Sequence, residues 1–309
     1  MSKKERITCR VLTGPTASGK TEYSILLAKE QGWDIICMDS MQIYRGMNIG
    51  TAKPTQEHIR QVPHHMLDIC EATDNYSVSD YREAAEKKIL ELYEQGKECL
   101  FVGGTALYLQ ALMHSMSMGH VAANNTLRTE LNAQAETSEG KSALHERLRC
   151  IDPVTAERLP VNDVRRVIRA IEVYESTGIP FSSQLMTKNE SDDRFQWKVV
   201  STQMDRALLY DRINQRVTDM ICAGLKDEVA MLLEQGVPES AQSMRGLGYK
   251  EMIPCVRGEC SLEEAADNIR KGSRHFAKRQ MTFLRREESI QYVRTDSGCV
   301  IDEIRRCLL

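Results

Sequence analysis

The sequence of 309 residues lacks several features that define particular classes of protein. Its first residues contain no apolar stretch of the signal-peptide kind, and no run approaches the roughly 20 apolar residues that span a bilayer. The ten cysteines form no CxxC pair and no Cys/His set at zinc spacing. We interpret them as buried or incidental thiols in a reducing compartment, which predicts a cytoplasmic protein with no membrane segment.

Charge of one sign is not in excess either. Lysine and arginine total 41 against 44 aspartates and glutamates, so the net charge of −3 gives no whole-chain field that attracts nucleic acid. Any basic surface must therefore be local. Apolar residues at 41% and charged residues at 28% are typical of a soluble globular protein. The length allows one large domain or two ordinary ones with a sizeable core.

Apolar strands and helices alternate through the first part of the chain. The pattern predicts strands at residues 7–12, 35–38 and 99–102, with a helix at 21–31 between the first two. A second helix is predicted to begin near an N-cap at Ser79 and to end at Gly96, after an ordered loop over residues 44–63. This alternation is typical of an α/β fold with a parallel sheet.

The pattern changes after residue 117. Helical periodicity dominates residues 118–196, with segments at 126–135, 141–149 and 163–176. A strand at 197–202 returns to the sheet, and helices continue from 207 to about 286. The sequence therefore predicts an α/β core in residues 1–117, a helical insertion in 118–196, and completion of the core with basic C-terminal helices in 197–309.

A glycine-rich segment, GPTASGKT at residues 14–21, matches the pattern GxxxxGK[ST] between the first strand and the first helix; we call it the P-loop motif. In such a loop consecutive N–H groups face phosphate oxygens, the lysine supplies a cation, and the hydroxyl can ligate Mg²⁺. The alternative is an unremarkable glycine turn. The motif alone suggests a nucleotide phosphate such as ATP, but NTPases, kinases and other transferases all use it. Its members are Gly14, Pro15, Thr16, Ala17, Ser18, Gly19, Lys20 and Thr21.

Asp39 follows the second predicted strand, where α/β sheets place their ligands. Its carboxylate could be a Mg²⁺ ligand, a general base, or the cap of a following helix. His64 and His65 could suggest a metal, but no third ligand stands at a useful spacing, and we favour a structural role for them.

Seven segments carry a resemblance to a known family. The sequence resembles the bacterial tRNA dimethylallyltransferases, also called isopentenyltransferases or the IPP transferase family, in order and over most of the chain. The segments are GPTASGKT (14–21), DSMQIYRGMNIGTAKP (39–54), HHMLDI (64–69), VGGTALY (102–108), NDVRRVIRAIEVY (162–174), MRGLGYKEM (244–252) and AKRQMTFLRR (277–286).

The resemblance implies an enzyme that transfers a dimethylallyl group from dimethylallyl diphosphate to N6 of the tRNA adenosine 3′ of the anticodon. The P-loop motif would then hold the diphosphate leaving group with Mg²⁺, for which Thr21 is the expected protein ligand. Lys20 would stabilise the leaving group, Asp39 would take a proton from the amine, and Thr105 would contact the substrate. Arg212 and Arg216 resemble a family arginine near the diphosphate, or they form an exposed basic face. Members of this family are usually monomeric.

Basic residues cluster between Arg270 and Arg286, with Ile269, Phe276 and Phe283 on another face of the helix, expected against the core. By itself such a run is usually a solvated basic helix. The resemblance instead implies contacts with the tRNA anticodon stem-loop, although Arg165 stands where the family usually has glutamine. The implied tRNA-binding residues are Asp39, Ser40, Met41, Gln42, Thr105, Arg128, Arg165, Arg166, Val167, Ile168, Arg169, Arg245, Gly246, Leu247, Gly248, Tyr249, Lys250, Arg274, Lys278 and Arg279.

Three other functions compete with this interpretation. A free-nucleotide isopentenyltransferase shares the P-loop motif but has no need of a helical insertion with arginine clusters. A nucleotide or small-molecule kinase gives no reason for the DSMQ and AKRQMTFLRR segments. A non-catalytic RNA-binding module leaves Asp39 and the P-loop motif unexplained. The DDxxD motif of isoprenoid chain-elongating enzymes is absent from the sequence.

Overall fold

A computed structural model describes residues 6–114, 124–186, 194–296 and 298–309. The chain divides into two compact units, one of Met1–Gln110 with Asp193–Leu309 and the other of Ala111–Asp192. The predicted boundary between residues 117 and 118 lies outside the described residues. The returning strand begins at Phe195, slightly before the predicted position.

The first unit contains a parallel sheet of six strands in the order β3-β2-β4-β1-β5-β6. Every strand pair is parallel, and β1 lies centrally between β4 and β5. Buried apolar residues occupy both faces of the inner strands, as expected where helices cover a parallel sheet. The predicted parallel α/β sheet is thus confirmed. The strands are β1 (Ile7–Thr13), β2 (Asp34–Cys37), β3 (His64–His65), β4 (Cys99–Val102), β5 (Phe195–Gln203) and β6 (Ile290–Arg294).

Helices surround this sheet. The apolar residues of α1 and α14 pack in one core cluster with residues of β1, β2, β4 and β5. The helices that lie in or begin in the first unit are α1 (Lys20–Gln31), α2 (Gln56–Gln61), α3 (Val78–Glu94), α4 (Ala106–Met113), α10 (Arg206–Cys222), α11 (Leu225–Glu234), α12 (Tyr249–Val256), α13 (Leu262–Leu284) and α14 (Val300–Leu308).

Local capping explains two wrong predictions. The N-cap of α3 is Ser77 and not Ser79, because the Ser77 hydroxyl accepts the Asp80 N–H while the Asp80 carboxylate accepts the Ser77 N–H. The predicted loop over residues 44–63 contains the short helix α2, which begins after a similar reciprocal pair between Thr55 and His58. Both boxes are local signals that outweigh weak hydrophobic periodicity.

The final strand and helix were not predicted. β6 pairs with β5, and the apolar side of α14 packs into the sheet core through Val300, Ile304 and Leu308. The buried guanidinium of Arg10 on β1 donates to the Leu308 carbonyl over 3.1 Å, which ties the end of α14 to the sheet. These two elements complete the outer edge of the fold.

The second unit is all-helical over its described residues. An apolar cluster that includes Leu131, Leu144, Leu148 and Ile171 forms its core. Three of its helices overlap the segments predicted at 126–135, 141–149 and 163–176. Its helices are α5 (Asn125–Gln134), α6 (Ser138–Ile151), α7 (Pro153–Arg158), α8 (Val164–Thr177) and α9 (Phe181–Met186).

A fully buried carboxylate, Glu172, lies on α8. It pairs with Arg128 at 2.8 Å and with Arg169 at 2.6 Å, and it accepts the Asn124 N–H at 2.8 Å. Burial alone would raise the pKa of Glu172, but the hydrogen bonds from the two arginines outweigh it and lower that pKa. The buried charge therefore joins α5 to α8.

We predict that Glu172→Gln destabilises the protein by about 2–4 kcal/mol at pH 7, because a buried partner of two arginines is lost. The measurement is urea unfolding followed by circular dichroism. Since the folded-state pKa is depressed, the stabilisation is present above the unfolded pKa of about 4.3 and is lost as pH falls through the folded value. The matched control is Glu175→Gln, which breaks the solvent-exposed pair with Arg147 and should cost less than about 1 kcal/mol. Equal losses in the two variants would contradict the assignment.

Candidate active site

The P-loop motif turns sharply between β1 and α1. Gly14 has φ of 138°, and a Cβ atom there would lie 2.1 Å from the Thr202 hydroxyl oxygen. Ala17 also occupies the left-handed region at φ of 63°, which is uncommon for a residue with a side chain. The buried Ser18 hydroxyl contacts the Thr202 hydroxyl over 2.6 Å. These contacts fix the loop against β5, with Gly19 as the N-cap of α1.

Lys20 begins α1 and bends back over the loop, where its ammonium group donates to the Pro15 carbonyl over 2.7 Å. Burial, and to a smaller extent the nearby Arg216 guanidinium, lower the pKa of Lys20 to about 7, while the Asp39 carboxylate opposes this shift. Burial also lowers the pKa of Arg216, again opposed by Asp39. Cationic groups are therefore held close together at reduced solvation, which favours an anionic ligand.

Asp39 leaves the carboxyl end of β2 close to the end of β4. Its Oδ1 accepts the Met41 N–H over 2.9 Å, so the carboxylate caps a turn, and no helix follows it directly. The Thr105 hydroxyl oxygen accepts the Ser40 N–H over 2.9 Å. Thr105 thereby holds the loop that carries Asp39, and this contact was not anticipated from the sequence.

A cavity of about 400 Å³ joins these groups. Its lining includes the cationic residues Lys20, Arg212 and Arg216 and the apolar residues Ile35 and Val102. Arg212 and Arg216 were predicted either to lie near a diphosphate or to form an exposed basic face. Both residues line the cavity, and Arg212 is also exposed to solvent. The structure therefore brings the following predicted residues together around one space: Thr16, Ala17, Ser18, Gly19, Lys20, Thr21, Asp39, Gln42, Arg212 and Arg216.

Glu228, which no sequence pattern indicated, holds the segment after Asp39 in place. Buried Glu228 on α11 accepts the N–H groups of Asn48, Ile49 and Gly50 at 2.8–3.1 Å. The Tyr249 hydroxyl donates to the same carboxylate over 2.7 Å. Glu228 lies in an amphipathic helix, where sequence alone suggests a surface residue, so no local signal distinguished it.

Three side chains predicted to bind tRNA are buried in this structure. Tyr249 is 0% exposed because its hydroxyl serves the Glu228 carboxylate. Val167 and Ile168, at 1% and 4% exposed, belong to the apolar core of the second unit.

The other predicted tRNA-binding residues differ in availability. Arg245, Lys250, Arg165 and Arg166 are exposed. Gly246 and Gly248 are buried, Leu247 is half-buried, and Arg128 and Arg169 pair with Glu172. Ser40 and Met41 are half-buried in the loop after β2.

Helix α13 presents its basic residues unequally. Lys278 and Arg279 are exposed, and they line an open groove of about 520 Å³ together with Phe283. Arg274 is half-buried and donates to the Asn214 side-chain oxygen over 3.0 Å. Arg270 is bound by two carboxylates of its own helix.

The apolar side of α13 was predicted partly wrongly. Ile269 is buried as expected. Phe276, however, lines the cavity with the P-loop motif, and Phe283 lines the open groove. The buried positions also include small or polar residues such as Gln280 and Ala277, and Ala277 packs with Leu209 and Ile213 of α10.

The donor groups fit Mg²⁺ in one respect. The Thr21 hydroxyl and the Asp39 carboxylate line the same cavity, and Mg²⁺ commonly takes one or two hard oxygen ligands from protein with phosphates and water. In the described ranges no group of three His, Cys, Asp or Glu side chains could hold a metal alone. His65 contacts Asp34 over 2.9 Å and His64 contacts the Val62 carbonyl over 2.8 Å, so both have structural partners.

Fold and cavity together define a P-loop protein with a parallel α/β core. Residues 42–287 match the family model described as IPP transferase. The chain belongs to that family, and it is a transferase. A protein of Pelotomaculum thermopropionicum called tRNA dimethylallyltransferase is 46% identical over 99% of this chain and 97% of its own length. One of the same name from Geobacter metallireducens is 41% identical over 95% and 94%.

Solved structures show the same architecture. The tRNA isopentenylpyrophosphate transferase of Bacillus halodurans is 38% identical, with a TM-score of 0.71 over 98% of this chain and 97% of its own. A eukaryotic dimethylallyltransferase acting on tRNA is 24% identical, with a TM-score of 0.76 over 93% and 74%, and supports the fold alone. In the part of the chain that the structure describes, none of the helices combines the length and apolarity needed to cross a membrane.

The depressed pKa of Lys20 predicts proton uptake when a diphosphate binds. Lys20 is mostly neutral at pH 8 in the free protein, and a bound anion would restore its charge, so close to one proton enters per site. Calorimetry with inorganic diphosphate in two buffers of different ionisation enthalpy measures this uptake. Lys20→Arg is the control, because the guanidinium of the introduced arginine does not titrate. Protons exchanged by the ligand itself are the same in both proteins and cancel when the two uptakes are subtracted. The same uptake in both proteins would contradict the assignment.

Proposed function

We propose that this transferase moves a dimethylallyl group from dimethylallyl diphosphate to N6 of the adenosine 3′ of the anticodon in tRNA, and releases diphosphate. The observation that carries the proposal is the cavity itself. Its lining combines the P-loop motif and the cationic side chains of Lys20, Arg212 and Arg216 with apolar residues, and Asp39 lines the same space. An amphiphilic donor with a charged head and a short hydrocarbon tail suits such a cavity.

The charged head of the donor belongs on the P-loop motif. Backbone N–H groups at the start of α1 and the dipole of that helix favour a bound anion. Lys20, Arg212 and Arg216 would neutralise the charge that grows on the departing diphosphate. Mg²⁺ held by Thr21 and the diphosphate would supply further electrophilic stabilisation of the leaving group. We therefore assign the loop to the donor and not to ATP.

Asp39 is proposed as the general base. The exocyclic amine of adenine is a weak nucleophile, because its lone pair is delocalised into the ring, so its proton must leave as the new C–N bond forms. The proton passes to the Asp39 carboxylate, the allylic C–O bond breaks, and the electron pair leaves with the diphosphate. Thr105 assists by holding the Ser40 N–H, and it thereby fixes the loop that presents the carboxylate.

The acceptor is proposed to bind through exposed basic residues despite the net charge of −3. Lys278 and Arg279 on α13 and Arg245 and Lys250 near α12 are exposed in the first unit. Arg165 and Arg166 are exposed in the second. Phosphate contacts of this kind make binding strongly salt-dependent, and the target base must leave its stack to reach the half-buried Asp39 carboxylate. The names of the relatives favour tRNA over a free nucleotide as the acceptor.

We also propose that the protein acts as a monomer in the cytoplasm. Its ten cysteines are all free thiols, several of them buried, which suits a reducing compartment.

The proposed function predicts transfer of label from dimethylallyl diphosphate to tRNA and not to AMP. Purified protein is incubated with the labelled donor, Mg²⁺ and either total tRNA or AMP, and the label in each acceptor is counted. Label in AMP alone would establish the free-nucleotide activity instead. A matched reaction with γ-labelled ATP should leave both acceptors unlabelled, whereas phosphorylation of either would favour a kinase.

Asp39→Asn should lower kcat by about 10²–10⁴, because the amide cannot accept the proton but can still accept the Met41 N–H. The dissociation constant for tRNA should change by less than about threefold, since the charge of one residue inside the cavity adds little to a surface of phosphate contacts. Asp219→Asn is the comparison, because Asp219 also lines the cavity and pairs with Gln215, and its turnover should stay within about threefold of the wild type. Near-wild-type turnover of Asp39→Asn would show that another group takes the proton.

A further inference from the structure

One buried amide on α13, Gln280, contacts both loops that form the cavity. Its side-chain oxygen accepts the Thr16 N–H of the P-loop motif over 2.9 Å. Its side-chain nitrogen donates to the Gly104 carbonyl over 2.8 Å. Gln280 is 5% exposed and also lines the cavity. Gln280 lies in the segment AKRQMTFLRR, and the family resemblance implied no role for it.

The contact with Gly104 is tight. A Cβ atom at Gly104 would lie 2.2 Å from the Gln280 side-chain nitrogen, so the absence of a side chain there is what lets the amide reach the backbone. The Thr13 hydroxyl donates to the neighbouring Gly103 carbonyl over 2.9 Å. The turn after β4 is thus held on one side by β1 and on the other by α13.

This turn leads directly to the residue that fixes the Asp39 loop. Thr105 follows Gly104, and its hydroxyl oxygen accepts the Ser40 N–H over 2.9 Å. A continuous series of hydrogen bonds therefore runs from Thr16 through Gln280 and the turn to the residue next to Asp39. This series therefore connects the loop that would hold the donor to the loop that carries Asp39, the proposed base.

We propose that Gln280 is a positioning residue that sets the separation between the P-loop motif and the loop carrying Asp39. The inference rests on the proposed function and adds to it, because transfer requires the allylic carbon, the amine and the base to be aligned at once. A primary amide is suited to the task because it presents an acceptor to the Thr16 N–H and a donor to the Gly104 carbonyl.

Two substitutions separate the contacts. Gln280→Met keeps approximate size and loses both hydrogen bonds. Gln280→Glu keeps an acceptor for the Thr16 N–H but places a carboxylate oxygen against the Gly104 carbonyl, so it loses one bond and stays polar. Leu284→Ala is the matched control, since Leu284 is buried on the same helix at 2% exposure and lies outside the cavity lining. It removes packing without altering this hydrogen-bond series.

We expect Gln280→Met to lower kcat by about 100-fold, because misplacement of reacting groups by about 1 Å costs that much. Gln280→Glu should lower kcat by at least tenfold. The dissociation constant for inorganic diphosphate should change by less than threefold in both, since Lys20 and the N-terminus of α1 remain. Leu284→Ala should lower the melting temperature yet keep kcat within threefold when assayed well below that temperature. A second readout is hydrogen exchange of the Thr16 amide, slow in the wild type and in Leu284→Ala and faster in Gln280→Met.

An unchanged kcat in Gln280→Met, or an equal loss in Leu284→Ala, would overturn the proposal. So would a loss confined to donor affinity with kcat retained. Absence of transfer to tRNA by the wild type would sink the proposed function instead. In that case the Thr16 amide still decides the role of Gln280: faster exchange in Gln280→Met supports it, and unchanged exchange contradicts it.

Discussion

The close approach of the β4 turn to the end of β2 is the constraint on which the rest of the site depends. A Cβ atom at Gly103 would lie 2.0 Å from the Met38 carbonyl oxygen, so only a residue without a side chain permits this contact. Because β4 lies between β1 and β2 in a parallel sheet, its turn separates the P-loop motif from Asp39 at one sheet edge. The Thr105 amide can then donate to the Met38 carbonyl over 3.3 Å. The backbone thus places the loop that carries Asp39 and the P-loop motif on either side of one turn.

The electrostatics of the cavity follow from that packing. Lys20 and Arg216 are held where burial lowers the pKa of each, and Asp39 opposes both shifts. Like charges at such a site repel each other at reduced solvation until an anion binds. The site therefore favours a polyanionic head group. In the proposed reaction the same arrangement would stabilise charge on a departing diphosphate more than on a bound one, because the leaving group carries more charge once its bond to carbon has broken. A motif that is common in nucleotide hydrolysis can in this way serve alkyl transfer.

The sequence predicted those parts of the site that are local in the chain. The P-loop motif has its own backbone pattern, and Asp39 directly follows an apolar strand, so both could be found without a structure. What failed depends on contacts distant in sequence. Glu228 binds backbone groups 178–180 residues away, and its carboxylate also accepts the hydroxyl of buried Tyr249. Gln280 binds two backbone groups, 176 and 264 residues away. Val167 and Ile168 belong to a core that only the assembled helices define. Hydrophobic periodicity does not reveal a polar residue whose partner is a distant loop.

The most direct measurement is a crystal structure of the protein with an anticodon stem-loop and an unreactive thiolo analogue of dimethylallyl diphosphate. The account predicts that the diphosphate contacts the backbone of residues 17–21 and the Lys20 side chain. It further predicts that N6 of the adenosine 3′ of the anticodon lies about 3 Å from an oxygen of the Asp39 carboxylate. A diphosphate bound away from the P-loop motif, or an N6 atom beyond hydrogen-bonding distance of Asp39, would contradict it.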